Sequence, residues 1–144
     1  MKSTAIVLAA MTATLISGIV LARDTYLKLP IKDAMENAEA KDRLGTDVKF
    51  VFGSPGPVGA KDLGTFTSNK KTNFANKSDK EGCEWAFLSA MISLKERAIA
   101  EGGNAVINIQ SYYKKKEFTS ATEYECVAGA IMGGVALRGT IVKQ

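Results

Sequence analysis

Two cysteines, Cys83 and Cys126, are the only thiols in a chain of 144 residues that contains no histidine. A nucleophilic cysteine ordinarily needs a base to take its proton, and imidazole is the usual one. Cys83 stands in "SDKEGCEW" (78 to 85), about five residues into an expected helix. The N-terminal dipole that lowers a thiol pKa is strongest in the first turn and has mostly faded there. A structural zinc needs four nitrogen or sulfur ligands, and two cysteines 43 residues apart do not supply them. The pair also lacks the C-x-x-C spacing of thiol exchange. In an oxidising compartment the chemistry left to it is a crosslink, so Cys83 and Cys126 are expected to form a helix-to-strand disulfide.

Other chemistry is scarce. Glu123 and Glu125 are two apart on an expected strand, hence on one face, but polar neighbours make them a solvated pair. "GAKDLGT" (59 to 65) has glycines spaced as in a phosphate loop, yet Thr65 stands where the phosphate-gripping lysine belongs. The reading is a non-enzymatic domain without cofactor or metal. Two sets remain for recognition. "SNKKTNF" (68 to 74) and "SYYKKKEF" (111 to 118) carry Lys70, Lys71, Tyr112, Tyr113, Lys114, Lys115 and Lys116, basic and aromatic side chains of the kind that bind sugars, lipid phosphates or single-stranded nucleic acid and also suit an ordinary soluble hairpin. Trp85, Leu88, Ile92 and Ile99 form a second apolar stripe on the long helix, either covered by the N-terminal helix or open to a second copy of the chain.

The elements that position these residues follow from periodicity. "TYLKLP" (25 to 30) alternates as a short strand, and Ile31, Ala34, Met35, Ala38 and Leu44 recur at helical spacing up to Gly45. "DVKFVF" (47 to 52) reads as a strand, 53 to 64 as a glycine- and proline-rich loop, and 65 to 73 as an edge strand guarded by Lys70 and Lys71. Ser78 and Glu81 make the S-x-x-E pattern that opens a helix at Asp79. On it Cys83, Ala86, Phe87, Ala90, Met91, Leu94 and Ala98 make one buried stripe, and Gly102-Gly103 ends it. "NAVINIQSYY" (104 to 113) alternates as a strand, and a last strand is expected from about Thr122. "CVAGAIMGGVAL" (126 to 137) is too short to span a bilayer and reads as a central strand covered on both faces. The sum is an α+β domain: a small, mostly antiparallel sheet, one main helix over about 79 to 101, and a shorter N-terminal helix over about 31 to 44.

The chain begins with Lys2, an apolar tract without charge and Val20-Leu21-Ala22 before Arg23. This describes a secretory signal peptide over 1 to 22 followed by one domain over 23 to 144, with an uncleaved anchor as the competing reading. The expectation is a periplasmic or secreted protein with no stable membrane span after cleavage. Without Lys2 the charge falls from +4 to +3. That mild excess fits an anionic envelope surface or an envelope protein better than nucleic acid, which is not expected as a partner.

"SLKERAIAEGGNAVINI" resembles the YbjQ-like and Rcs-sensor-like group of small bacterial α+β domains. More closely, "KTNFANKSDKEGCEWAFLSAMISLKERA" and "SYYKKKEFTSATEYECVAGAIMGGVALRG" are similar to a family of short exported proteobacterial proteins of unknown function. Members often carry the label "excinuclease ATPase subunit", which this chain does not support, lacking the phosphate loop, the zinc cysteines and the length. The resemblance covers nearly all of 23 to 144 and implies a small sheet with a helix packed on it. In the Rcs-type sensors it implies disulfides and an envelope-stress role, although no lipid-anchor cysteine follows Ala22 here.

Overall fold

The computed structural model describes residues 23–144. The expected leader, 1 to 22, lies outside them. Strands β1 (Thr25–Pro30), β2 (Lys49–Phe52), β3 (Lys61–Asn73), β4 (Ala105–Ser111), β5 (Glu123–Ala128) and β6 (Met132–Lys143) form one sheet. Helices α1 (Ile31–Glu36), α2 (Ala38–Leu44) and α3 (Asp79–Ala100) cover one face. β6 is the central strand. Along one side it pairs with β3 from Lys61↔Lys143 to Asn73↔Met132, and along the other with β5 at its start and β4 further on. β1 adds to β5 antiparallel, and β2 adds to β4 as the parallel pair of the sheet. The architecture is α+β, mostly antiparallel, as the periodicity predicts.

α3 starts where the S-x-x-E pattern places it. The Ser78 hydroxyl accepts from the Glu81 N–H at 3.1 Å, satisfying one of the free amides of the first turn. The predicted stripe is the core contact: Cys83, Ala86, Phe87, Ala90, Met91, Leu94 and Ala98 are all buried against the sheet. From the strands they meet Val106, Ile109, Tyr124, Val135, Leu137 and Ile141. The Phe87 ring lies 4.4 Å from that of Tyr124 and 6.1 Å from that of Phe52. Phe74, just after β3, fits between Gly82 on α3 and Gly133 on β6, where an added Cβ at either glycine would run into its ring. Cys83 and Cys126 form the expected disulfide, with their Cα atoms 5.8 Å apart.

Three expectations are corrected. The N-terminal helix is not continuous over 31 to 44. Asn37 is extended (ψ 154°), its side-chain oxygen accepts from the Ala40 N–H at 2.8 Å and its amide donates to the Ala34 carbonyl at 3.0 Å. An asparagine caps a new helix better than it continues an old one, so the segment folds as two short helices. The run 126 to 137 is not one strand but the two arms of a hairpin. β5 ends at Ala128, the chain turns through 129 to 131, and the Gly129 N–H donates to the Met132 carbonyl at 3.0 Å. Gly129 has no room for a side chain against that carbonyl, and apolar arms on both sides hide the turn in the sequence. Finally, the loop at 53 to 64 is shorter, because β3 starts at Lys61.

Candidate functional site

The sheet has an outer face, opposite α3, and there most of the basic and aromatic residues gather. Alternation assigns them. On β1, Leu27 and Leu29 pack on the core while Tyr26 and Lys28 face outward, opposite Val127 and Glu125 of β5. On β3, Ser68 is buried inward and Asn69 and Lys71 face outward, opposite Ala136 and Gly134. At one end of this face residues 53 to 60 fold over Ile107 and Val142, with the Asn108 N–H donating to the Ser54 carbonyl at 2.7 Å. At the other end lies the excursion between β4 and β5.

That excursion is closed at its neck. Ser111 and Phe118 exchange backbone hydrogen bonds at 3.0 and 2.9 Å, and the buried Ser111 hydroxyl accepts from the Glu125 N–H at 2.8 Å. The Tyr112 N–H donates to the Ala136 carbonyl at 2.9 Å, pinning the segment to β6. Tyr113–Lys115 then form a 3-10 turn in which Lys114 and Lys115 both take positive φ, 50° and 61°. Such angles are uncommon for a side chain larger than glycine, and they present consecutive lysines to solvent at the turn.

Each aromatic ring of the excursion has a partner. The Arg138 guanidinium lies 4.8 Å from the Tyr112 ring, the Lys28 ammonium 4.3 Å from the Phe118 ring, and the Tyr26 ring meets Tyr113 edge-on at 5.9 Å. Arg138 also pairs with Glu117 at 3.4 Å. Two adjoining depressions result. One is lined by Asp24, Lys71, Tyr113, Met132 and the bare backbone of Gly133 and Gly134; the other by Tyr26, Tyr113, Lys114, Lys116 and Glu125. Tyr113 is the wall between them.

The expected basic set is therefore only partly assembled. Lys71, Tyr113, Lys114 and Lys116 come together, with Lys115 exposed beside them. Tyr112 is engaged by Arg138 and serves to hold the excursion down. Lys70 does not reach Tyr113: adjacent to Lys71 on a strand, it faces the helix side, in a shallow groove with Arg43, Ser89, Ile92 and Glu96 whose edge Lys71 also lines. The strand expected over 65 to 73 already implies this separation, since a strand sends consecutive side chains to opposite faces. Tyr26, Lys28 and Arg138 were not anticipated. The alternation of Tyr26 and Lys28 with Leu27 and Leu29 is the signal that marks the first two as outward-facing.

The second apolar stripe of α3 is not one open face. Leu88 is buried in the core, and Ile92 is partly buried against it. α1 and α2 lie across this side of α3, tied by Lys80 to Asp33 at 2.8 Å and by the Lys95 ammonium to the Arg43 carbonyl at 3.2 Å. Asp33, and secondarily Glu84, raise the Lys80 pKa. Trp85 and Ile99 remain exposed, but 14 residues of helix, about 21 Å, separate them.

Beneath that ion pair the Tyr124 hydroxyl is buried without a hydrogen-bond partner, as is that of Ser68. Burial, with smaller contributions from Glu84 and Asp33, pushes the Tyr124 phenol far above its ordinary range. It is held neutral and is no general base. Among the described residues no group of three or more acidic or cysteine side chains is placed to hold a metal, and no helix is long and apolar enough to cross a membrane.

The chain matches no family model, no curated protein and no solved structure.

Proposed function

We propose that this chain is an exported, non-enzymatic binding domain whose outer sheet face takes an anionic component of the bacterial envelope. The disulfide-stapled α+β scaffold is the established part of this reading. Binding is carried by one observation: Lys71, Tyr113, Lys114 and Lys116, from two segments over 40 residues apart in sequence, meet at two adjoining depressions. Lysines supply point charges for phosphate or carboxylate, and the Tyr113 ring supplies a flat apolar wall. The leader-like tract at 1 to 22 and the resemblance to short exported proteins support the envelope as the place of action.

Titration calorimetry with inorganic polyphosphate at low salt tests it. Replacing Lys71, Tyr113, Lys114 and Lys116 with alanine is expected to abolish the heat of binding while shifting the unfolding midpoint little, because all four lie at the surface. Unchanged binding by that variant refutes the reading.

A further inference from the structure

The turn of the β5–β6 hairpin is unusual in composition. A tight hairpin tip ordinarily carries Asn, Asp or Gly, which accept the turn geometry and water equally well. Here the tip reads Gly129-Ala130-Ile131-Met132, and Ile131 and Met132 are 67% and 50% exposed. Scattered single apolar residues on a surface need no explanation. Two adjacent ones at the end of a rigid hairpin do, particularly with Tyr26 58% exposed on the same side of the sheet. Phe74 holds the hairpin: its N–H donates to the Ile131 carbonyl, and Gly133 packs on its ring.

What lies around the tip says what it meets. Met132 shares its depression with Lys71 and Tyr113, and Lys114 and Lys116 line the next one. An exposed apolar tip with tyrosine and lysine beside it is the set of side chains that a bilayer surface accommodates, in acyl chains, headgroup boundary and phosphates. Chain direction points the same way. The described fold begins at Arg23, whose carbonyl is beside Gly129, so the uncharged tract over 3 to 22 joins the domain at this end.

We propose that Ile131 and Met132 insert into the surface of an anionic bilayer, with Tyr113 at the headgroup level and Lys71 and Lys114 on lipid phosphates. This rests on the outer-face reading above and names its partner as the lipid surface. The lysines bring the protein to the membrane in a salt-dependent manner, and the tip adds an apolar contribution that salt does not screen.

The test uses protein expressed from the full reading frame, every variant being checked by intact mass to carry the same N-terminus. Co-sedimentation is measured with vesicles of phosphatidylglycerol and phosphatidylcholine, with pure phosphatidylcholine vesicles, and, separately, calorimetry with soluble polyphosphate. Ile131→Ser, at the tip and outside both depressions, is expected to lower affinity for the anionic vesicles by about tenfold while leaving polyphosphate binding and the unfolding midpoint unchanged. Equal vesicle binding by that variant and the wild type overturns insertion. Polyphosphate binding without vesicle binding also overturns it and leaves the anionic-ligand reading standing. Binding to neither probe refutes both.

Discussion

Lys70 and Lys71 are neighbours on strand β3, where alternation turns their side chains to opposite faces: Lys71 lines the depression of Tyr113 and Lys70 does not, while the groove beside Glu96 of α3 is lined by Lys70 and edged by Lys71. A charge effect on ligand binding must therefore distinguish them. Lys71→Ala is expected to weaken polyphosphate binding severalfold and to reduce its salt dependence, whereas Lys70→Ala leaves both near wild type. Parallel titrations of the two variants at two salt concentrations check this, and equal losses would place the ligand elsewhere.

The disulfide closes a loop of 43 residues between the start of the main helix and a strand of the sheet. In the chain-entropy model that constraint is worth about 4 kcal/mol. Both sulfurs are held in the disulfide, so alkylation of the unreduced protein, folded or denatured, should label neither cysteine. Cys83→Ala with Cys126→Ala is expected to lower unfolding free energy by about 2 to 4 kcal/mol in urea melts. A change below about 0.5 kcal/mol would show that packing alone holds α3 on the sheet.

Phe74 is accommodated by missing side chains on two elements. At Gly133 an added Cβ would meet both the Phe74 ring and, at 2.7 Å, the Val127 carbonyl, so the ring cannot relieve the clash by itself. Gly133→Ala should cost about 1 to 3 kcal/mol. Gly102→Ala has open space around its Cβ and suffers only from its positive φ of 79°, so its cost should be smaller, about 1 kcal/mol. Urea denaturation of the two variants gives the order directly.

Tyr124 offers a pH-dependent signature. Its folded pKa is raised by burial, first, and by Glu84 and Asp33, second, above the ordinary phenol value of about 10. A group whose pKa is raised on folding stabilises the protein below its unfolded pKa, and that contribution is lost as pH rises beyond it. Stability should therefore fall above about pH 10, and the Tyr124 phenolate absorbance should appear together with loss of near-ultraviolet circular dichroism. Because the hydroxyl has no partner, Tyr124→Phe should be neutral or up to about 1 kcal/mol stabilising, and should remove that step. Reversible ionisation of all four tyrosines in the folded protein would contradict the burial argument.

The parts of the fold visible in the sequence are those where one local signal and one long-range signal agree. Ser78, Glu81 and a buried stripe containing Cys83 identify α3, and the strand alternation around Leu27 and Ile109 identifies the sheet. Asn37 was missed because apolar spacing runs straight through it, while a cap is a property of one side chain. The hairpin at Gly129 was missed because both of its arms are buried, so no polar residue marks the turn. Half of the candidate face was legible as composition. Its geometry was not, because the sheet register that sets Lys71 opposite Gly134 and brings Tyr113 to Tyr26 depends on pairings between residues 60 to 90 apart in sequence, which no local pattern encodes.

The most direct test of the account is an amide chemical-shift map of the ¹⁵N-labelled protein during titration with polyphosphate. Binding at the outer face predicts perturbations confined to Tyr26, Lys71, Tyr113 to Lys116, Gly133 and Gly134, with Lys70, Trp85 and the Ser89 to Glu96 stretch of α3 unmoved. Perturbations centred on Trp85 and the helices, or none at saturating ligand, would contradict it.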